Sequence, residues 1–248
     1  MAYVMMLARV FSSEKYANEF INNGKFRLNT LNFFKGYKEE LSNNIGDQYE
    51  GISFRATGEQ EVKVTIEYNN ESHEIEVNEI YTHDNYVLNN NIFCMYAPAV
   101  EQEKKFTLED IQEIVAFQKD AENLGNYLVL IANPEEFFER FAKTVKKLGY
   151  KMKRDLVEYV DFNNSVHVPR DKIGFVKSDQ FSHQKEYRLM IDDGRNVDEH
   201  IDLEIGSLAD ITYLIPTEDF NKSLEIKVKE ENSFSKCSSF GGLFTFLC

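Results

Sequence analysis

The chain of 248 residues contains only three cysteines and four prolines. Cys94, Cys237 and Cys248 form no even, closely spaced set, which argues against a disulfide framework. The five histidines, His73, His83, His167, His183 and His200, show no ligand spacing to the cysteines or to one another, so no metal is expected. A glycine-rich phosphate loop, a nucleophile elbow, a zinc-protease pair and a calcium loop are all missing. Neither a repeat of roughly 20 to 50 residues nor a Pro/Ser-rich linker divides the sequence, which points to one domain over residues 1–248. The opening "MAYVMMLARVF" lacks a basic n-region and a cleavage site and meets charge at Arg9. It reads as a buried first strand, not a signal peptide or a membrane span, so a cytoplasmic protein is expected.

What is present is ample core material. Hydrophobic residues make up 42% of the chain and aromatics 13%, with 20 Phe and 13 Tyr, too rich for a disordered polymer. A chain of this size buries roughly 70 to 75% of its unfolded surface. The net charge is −14, from 42 acidic against 28 basic residues. Such a surface repels nucleic acid, whose sequence-independent binding rests on Lys and Arg neutralising phosphates. A nucleic-acid role would need a local basic groove. The one candidate runs from Arg140 through Lys143, Lys146, Lys147, Lys151 and Lys153 to Arg154, and a solvated helix face with cations near its C-terminus also explains it.

Periodicity predicts alternating strands and helices. "SSEKYANEFINNG" has Ser12 or Ser13 as N-cap, apolar residues at helical spacing and Gly24 as a stop. "KFRLNTLNFF" predicts a strand that runs into the polar loop "KGYKEELSNNIGDQYEG". "EVKVTIEYNNESHEIEVNEI" alternates on both sides of Asn69 and Asn70, a hairpin elaboration at about 60–79 with one wet side. "NIFCMYAP" is apolar throughout, as a central strand would be. "TLEDIQEIVAFQKDAENLG" predicts a helix from a Thr107 cap to Gly125, and "NPEEFFERFAKTVKKLG" a helix from Asn133 to Gly149 with Leu148 on its core face. Later strands are expected at "LVEYVDF", "KIGFVKS", "EYRLMID", "ITYLIP" and "LEIKVK". The fold class is α+β, with a mixed, mostly antiparallel sheet and flanking helices. The final "SKCSSFGGLFTFLC" carries Phe240, Leu243, Phe244, Phe246 and Leu247, which must bury or form a sticky tail.

Two segments carry candidate chemistry. In "GDQYEG", Asp47 and Glu50 lie three apart between glycines, too few ligands for calcium. The segment is either a surface turn or a loop at a site mouth, where Asp47 or Glu50 holds a substrate hydroxyl or a nearby arginine. In "SDQFSHQKEYRLMID", strict alternation puts Tyr187, Leu189 and Ile191 on one strand face and Gln184, Glu186 and Arg188 on the other. That polar row is either a wet sheet face with a solvated Glu186–Arg188 pair or the floor of a site. A fixed carboxylate beside an amide suits a reaction in which positive charge develops on a sugar.

The sequence of segments "LARVFSSEKYANEFINNGKFRLNTLNFF", "GDQYEG", "FCMYA", "FVKSDQFSHQKEYRLMI" and "LADITYLIP" resembles a widespread bacterial and phage family of domains of unknown function. That family is itself similar to ADP-ribosyltransferases. The likeness spans roughly residues 7–216. It departs from the pattern in lacking the loop proline, in having Phe181 where Trp is usual, and in lacking a clear Ser-Thr-Ser segment. The resemblance implies an ADP-ribosyltransferase-like fold and NAD as substrate. Arg9, or Arg27 in its place, would hold the NAD diphosphate or ribose. Asn29 and Thr30 would stand near the polar segment, with Asp47, Glu50 and Arg188 around the nucleotide. Gln184 would orient the acceptor, and Glu186 would hold the nicotinamide ribose hydroxyl during glycosidic cleavage. The implied setting is a phage or bacterial conflict system, in the host cytoplasm if phage-encoded. The alternative is a catalytically silent inhibitor or sensor, an anti-defence or defence protein that binds a partner through its acidic surface or cleft.

Overall fold

The computed structural model describes residues 2–37, 46–57, 63–101, 105–118, 121, 124–228 and 244–246. Cys237, Cys248, Phe240, Leu243 and Leu247 lie outside the described residues. The first apolar run is divided into β1 (Ala2–Val4) and β2 (Ala8–Phe11). A helix over Glu14–Asn23 follows and ends at Gly24, whose φ of 58° is the left-handed conformation glycine adopts without strain. Ser13 stands at its N-cap without a side-chain cap bond, and Tyr16 is exposed while Ala17 and Phe20 are buried.

Next comes β3 (Lys25–Thr30), which stops earlier than its alternation predicts. Thr30 accepts from the Phe33 amide and caps a short helix, Leu31–Gly36, where the expected reading was strand and loop. The strands β4 (Ile52–Thr57), β5 (Lys63–Tyr68), β6 (Glu71–Glu76) and β7 (Glu79–His83) contain the predicted hairpin. Asn69 and Asn70 both have positive φ, as a tight two-residue hairpin turn requires. The hairpin has no dry side, because Ile66, Tyr68 and Ile75 are exposed.

Then follow β8 (Asn91–Tyr96), β9 (Ala99–Glu101) and a helix over Leu108–Val115 with the full Thr107–Asp110 capping box. This helix ends nine residues before the expected point, at Ala116, whose ψ of 135° is extended backbone. Beyond it, the half-buried Leu124 packs against the same apolar cluster as Val115 and Phe117, so helical spacing in the sequence reflected burial without continuous helix. After β10 (Tyr127–Ile131), Asn133 caps and Pro134 opens the helix Pro134–Lys147, as predicted. Leu148, expected on its core face, is exposed.

The remaining strands are β11 (Lys151–Leu156), β12 (Glu158–Val160), β13 (Val166–His167), β14 (Val176–Ser178), β15 (Glu186–Asp192), β16 (Ile201–Glu204), β17 (Thr212–Pro216), β18 (Ile226–Val228) and β19 (Phe244–Phe246). The main sheet has eight strands in the order β11-β15-β8-β2-β10-β17, with β3 also beside β8 and β16 beside β3. All its pairs are antiparallel, whereas β12 and β14 form a separate parallel pair. The architecture is therefore mixed α and β with mostly antiparallel sheets.

One face of the main sheet is covered by the helices Glu14–Asn23 and Pro134–Lys147. Phe20, Phe137 and Phe141 pack there on Phe26, Phe93, Leu189 and Ile191. The opposite face carries two apolar clusters. Val10, Tyr96 and Leu128 lie under Val115, Phe117 and Phe220; Ile92 and Met190 lie under Leu31, Leu88 and Phe175.

The sheet forks along β8. At one end Tyr96 pairs with Ala8 of β2; at the other, Asn91 and Ile92 pair with Thr30 and Asn29 of β3. Between these contacts no strand pairing reaches Phe93, Cys94 and Met95 on that side among the described residues. No helix is long and apolar enough to cross a membrane among the described residues.

Candidate functional site

The buried face of β15 begins with a charge. Glu186 and Arg188 project on the face opposite Tyr187, Leu189 and Ile191, which join the core as the alternation predicts. Gln184 is not in that row. It ends a 3-10 helix, Asp179–Gln184, and Lys185 in the left-handed region (φ 41°) separates it from the strand. The polar row is not a wet face either: Glu186 is 8% exposed and Arg188 fully buried.

These charges survive burial because they are matched. Arg188 donates through Nη1 and Nη2 to Glu50, both at 2.9 Å, a bidentate fork that suits guanidinium and carboxylate geometry. Its Nη2 also donates to Glu186 Oε2 at 2.7 Å, and its Nη1 to the Gly174 carbonyl at 2.6 Å. From β14, Lys177 donates to Glu186 Oε1 at 3.1 Å and to Gln184 Oε1 at 2.8 Å, with its ammonium 4.7 Å from the Phe181 ring centre. Tyr159 of β12 accepts from the Glu186 amide at 2.9 Å.

The loop expectation resolves in favour of an arginine partner. Glu50 is that partner, and Gly51 with φ 68° makes the turn that brings it inward. Asp47 is equally buried but structural: it accepts from the Tyr49 amide at 2.9 Å and the Ser178 amide at 3.1 Å, tying the loop to β14. The surface-turn reading of "GDQYEG" is overturned by this burial.

Arg9 fills the fork. Its Nη1 donates to the Cys94 carbonyl in the stretch of β8 that pairs with β15 alone, and its guanidinium lies 4.8 Å from the Phe93 ring centre. Its Nε is enclosed without a partner among the described residues, as is that of Arg188.

Electrostatics follows the contacts. Burial works against the ionised form of Glu186, but Lys177 and Arg188 outweigh it and hold the carboxyl down at about 2. For Glu50, burial prevails over Arg188 and Lys177 and raises the carboxyl above its ordinary value. Burial lowers the Arg9 guanidinium, with Cys94 and Glu186 opposing. Burial likewise pushes the Cys94 thiol up to about 12, so it is no thiolate nucleophile near neutral pH.

A pocket of about 150 Å³ opens beside the cluster, lined by Arg9, Arg27, Asn29, Glu50, Gln184, Glu186 and Arg188 among others. Seven of the nine residues proposed from sequence thus meet at one cavity. Arg27 reaches it from the rim, where an exposed pair with Asp202 at 3.1 and 3.2 Å occupies it. Of the two arginines weighed for the inner cation, Arg9 is the one beside Glu186.

Asp47 and Thr30 are not part of the lining. Thr30 is buried against Asp198 and caps a helix. Within the basic cluster, Arg140 binds Glu136 and Asp210, Lys151 binds Asp192, and Arg154 stacks on Phe138. Lys177 is the residue that sequence reasoning missed. A lysine flanked by Phe175, Val176 and Phe181 was the available signal, since buried lysines require a partner. No group of three or more His, Cys, Asp or Glu arranged to hold a metal occurs among the described residues.

Comparison of the chain with protein-family models, with curated proteins and with solved structures gives no match.

Proposed function

We propose that this pocket binds NAD or a related nucleotide and that the chain is an ADP-ribosyltransferase-like protein of a phage or bacterial conflict system, working in the cytoplasm. The observation that carries the reading is the convergence of Arg9, Asn29, Glu50, Gln184 and Glu186, from four separate segments, on one cavity. Its volume of about 150 Å³ has room for on the order of ten water-sized groups. That suits a ribose and its glycosidic bond, with the rest of a dinucleotide along the rim at Arg27. Arg9 supplies the cation for a phosphate or ribose oxygen. Glu186, held ionised, supplies the negative charge that stabilises an oxocarbenium-like transition state. Gln184 orients the acceptor.

A second reading is favoured by one observation. Both Glu186 carboxylate oxygens are already engaged, Oε1 by Lys177 and Oε2 by Arg188. A carboxylate so committed binds without driving cleavage, as expected of a silent inhibitor or sensor.

One experiment separates them. Purified protein is incubated with NAD, and both NAD binding and nicotinamide release are followed for wild type and Glu186→Gln. Release by wild type that vanishes in the folded variant supports transfer. Binding without release supports the silent reading. Absence of NAD binding by isothermal titration overturns the transfer reading, whereas the silent reading fails if no partner protein binds the acidic surface or cleft.

A further inference from the structure

The charged side chains around the cavity do not balance. Of the described residues that line it, Arg9, Arg27, Lys177 and Arg188 are cations, and Glu50 and Glu186 are carboxylates. Arg27 is matched at the rim by Asp202. Lys177 and Arg188 share the two carboxylates: Glu50 and Glu186 lie 3.8 and 3.1 Å from Lys177, and 2.9 and 2.7 Å from Arg188. Both Glu50 oxygens accept from the Arg188 fork, the arrangement of an ionised carboxylate. Two cations and two anions thus form a closed set. Arg9 stands outside it, with no ion pair among the described residues; its partners are the neutral Cys94 carbonyl and the face of Phe93. A ring face attracts a guanidinium without neutralising it, and a charge taken out of water and left unmatched is costly. The surplus acid of the surface is no remedy, because exposed charges beyond about 8 to 10 Å are screened.

We infer that the cavity is completed by a singly charged oxyanion seated against Arg9, either a bridging phosphate of a nucleotide or a carboxylate. The inference rests on the nucleotide reading for the rest of the ligand and narrows it by charge. A neutral group leaves Arg9 unmatched. A terminal phosphate carries about −1.5 to −2 near neutral pH. Its second charge falls beside Glu186, whose own charge is close enough to act on Arg9, with Glu50 in the same lining. Like charges so placed repel across a poorly screened space. Each phosphate of a dinucleotide's diphosphate bridge carries one charge, as a carboxylate does, and so matches Arg9 and no more. The walls suit a ligand charged at one end, since Val10, Phe34, Ile92 and Leu124 line the same cavity. The selectivity is therefore for a charge state, set by the two carboxylates that Arg9 does not pair with.

The test uses the full chain and isothermal titration at about pH 8, where a terminal phosphate is a dianion. Three probes share one nucleoside: adenosine, AMP, and the methyl ester of AMP, whose phosphate carries one charge. The ester is expected to bind about tenfold more tightly than either of the others. Arg9→Met should bring the three within about twofold of one another, since the unmatched charge is gone. Glu186→Gln leaves a second cation unmatched and should shift the preference about fivefold toward AMP. If NAD or any probe binds without this order among the three, the proposal is overturned, and NAD binding in the same titrations keeps the nucleotide reading. If neither NAD nor the probes bind, the nucleotide reading falls, and dimethyl phosphate and acetate are titrated in their place. Binding of either that Arg9→Met abolishes keeps the proposal, and the tighter of the two identifies phosphate or carboxylate as the source. Binding of neither overturns the proposal as well. The order of the three probes on the unaltered chain needs no variant, so folding of the variants does not decide the outcome.

Discussion

Arg188 and Glu50 lie 138 positions apart in sequence and meet through two parallel hydrogen bonds of 2.9 Å, both side chains buried. The pair joins a loop to the central sheet and stands at the head of the pocket. Removing one partner leaves an uncompensated buried charge, which costs more than the pair contributes. Glu50→Gln is therefore expected to lower unfolding stability by about 3–5 kcal/mol, measured by urea denaturation. The double change Glu50→Leu/Arg188→Met should recover most of that loss. A Glu50→Gln protein as stable as wild type would show that Glu186 alone balances Arg188 and Lys177.

Asp47 gives a smaller and more local expectation. Its carboxylate satisfies the Tyr49 and Ser178 amides. Asp47→Ala leaves a buried amide unpaired, at about 1–3 kcal/mol. Because the loss lies between the loop and β14, amide exchange at Ser178 should quicken while that of β10 is unchanged.

Glu186 sets an acid limit. Its folded carboxyl sits at about 2, below the ordinary 4.5. A depressed carboxyl contributes stability that is complete above the unfolded value and is lost as pH falls through the folded one. The stability gap between wild type and Glu186→Gln is thus expected to be widest above about pH 5 and to close toward pH 2. A gap that stays constant over this range, by thermal unfolding at a series of pH values, would contradict the assigned pairing with Lys177 and Arg188.

Arg9→Met removes the donor to the Cys94 carbonyl while keeping an apolar stem against Phe93. The cost is about 1–3 kcal/mol for the buried acceptor left behind, together with loss of nucleotide binding in titration. Arg9→Lys should restore part of the stability, since one donor suffices for a carbonyl, and less of the binding, which a forked cation serves better. Equal nucleotide affinity in all three proteins would remove Arg9 from the site.

Much of the fold was legible where one principle acted alone. Gly24, Thr107, Asn133 and the Asn69–Asn70 turn stand where capping and turn chemistry put them. The failures came where burial imitates periodicity. Leu124 packs with Val115 and Phe117 in one cluster after the helix has ended at Ala116, so spacing alone prolonged the helix in sequence. Gln184 looked like part of a strand because alternation carries no mark of a left-handed Lys185. The pocket-lining residues were chosen by chemical type and found together, but their pairing was not legible. That Glu50 meets Arg188 depends on a contact between segments 138 positions apart, and that Lys177 sits between Gln184 and Glu186 depends on a short chain reversal that alternation does not mark.

The fork in β8 leaves the main sheet with a seam that a side chain closes. A strand must slide by two residues to change its hydrogen-bond partners without turning its faces over, whereas an arginine needs only to rotate. A ligand oxygen that draws Arg9 aside uncovers the Cys94 carbonyl toward the cavity. The main chain would then offer an acceptor of its own, and a bond that serves cohesion would become one that serves recognition.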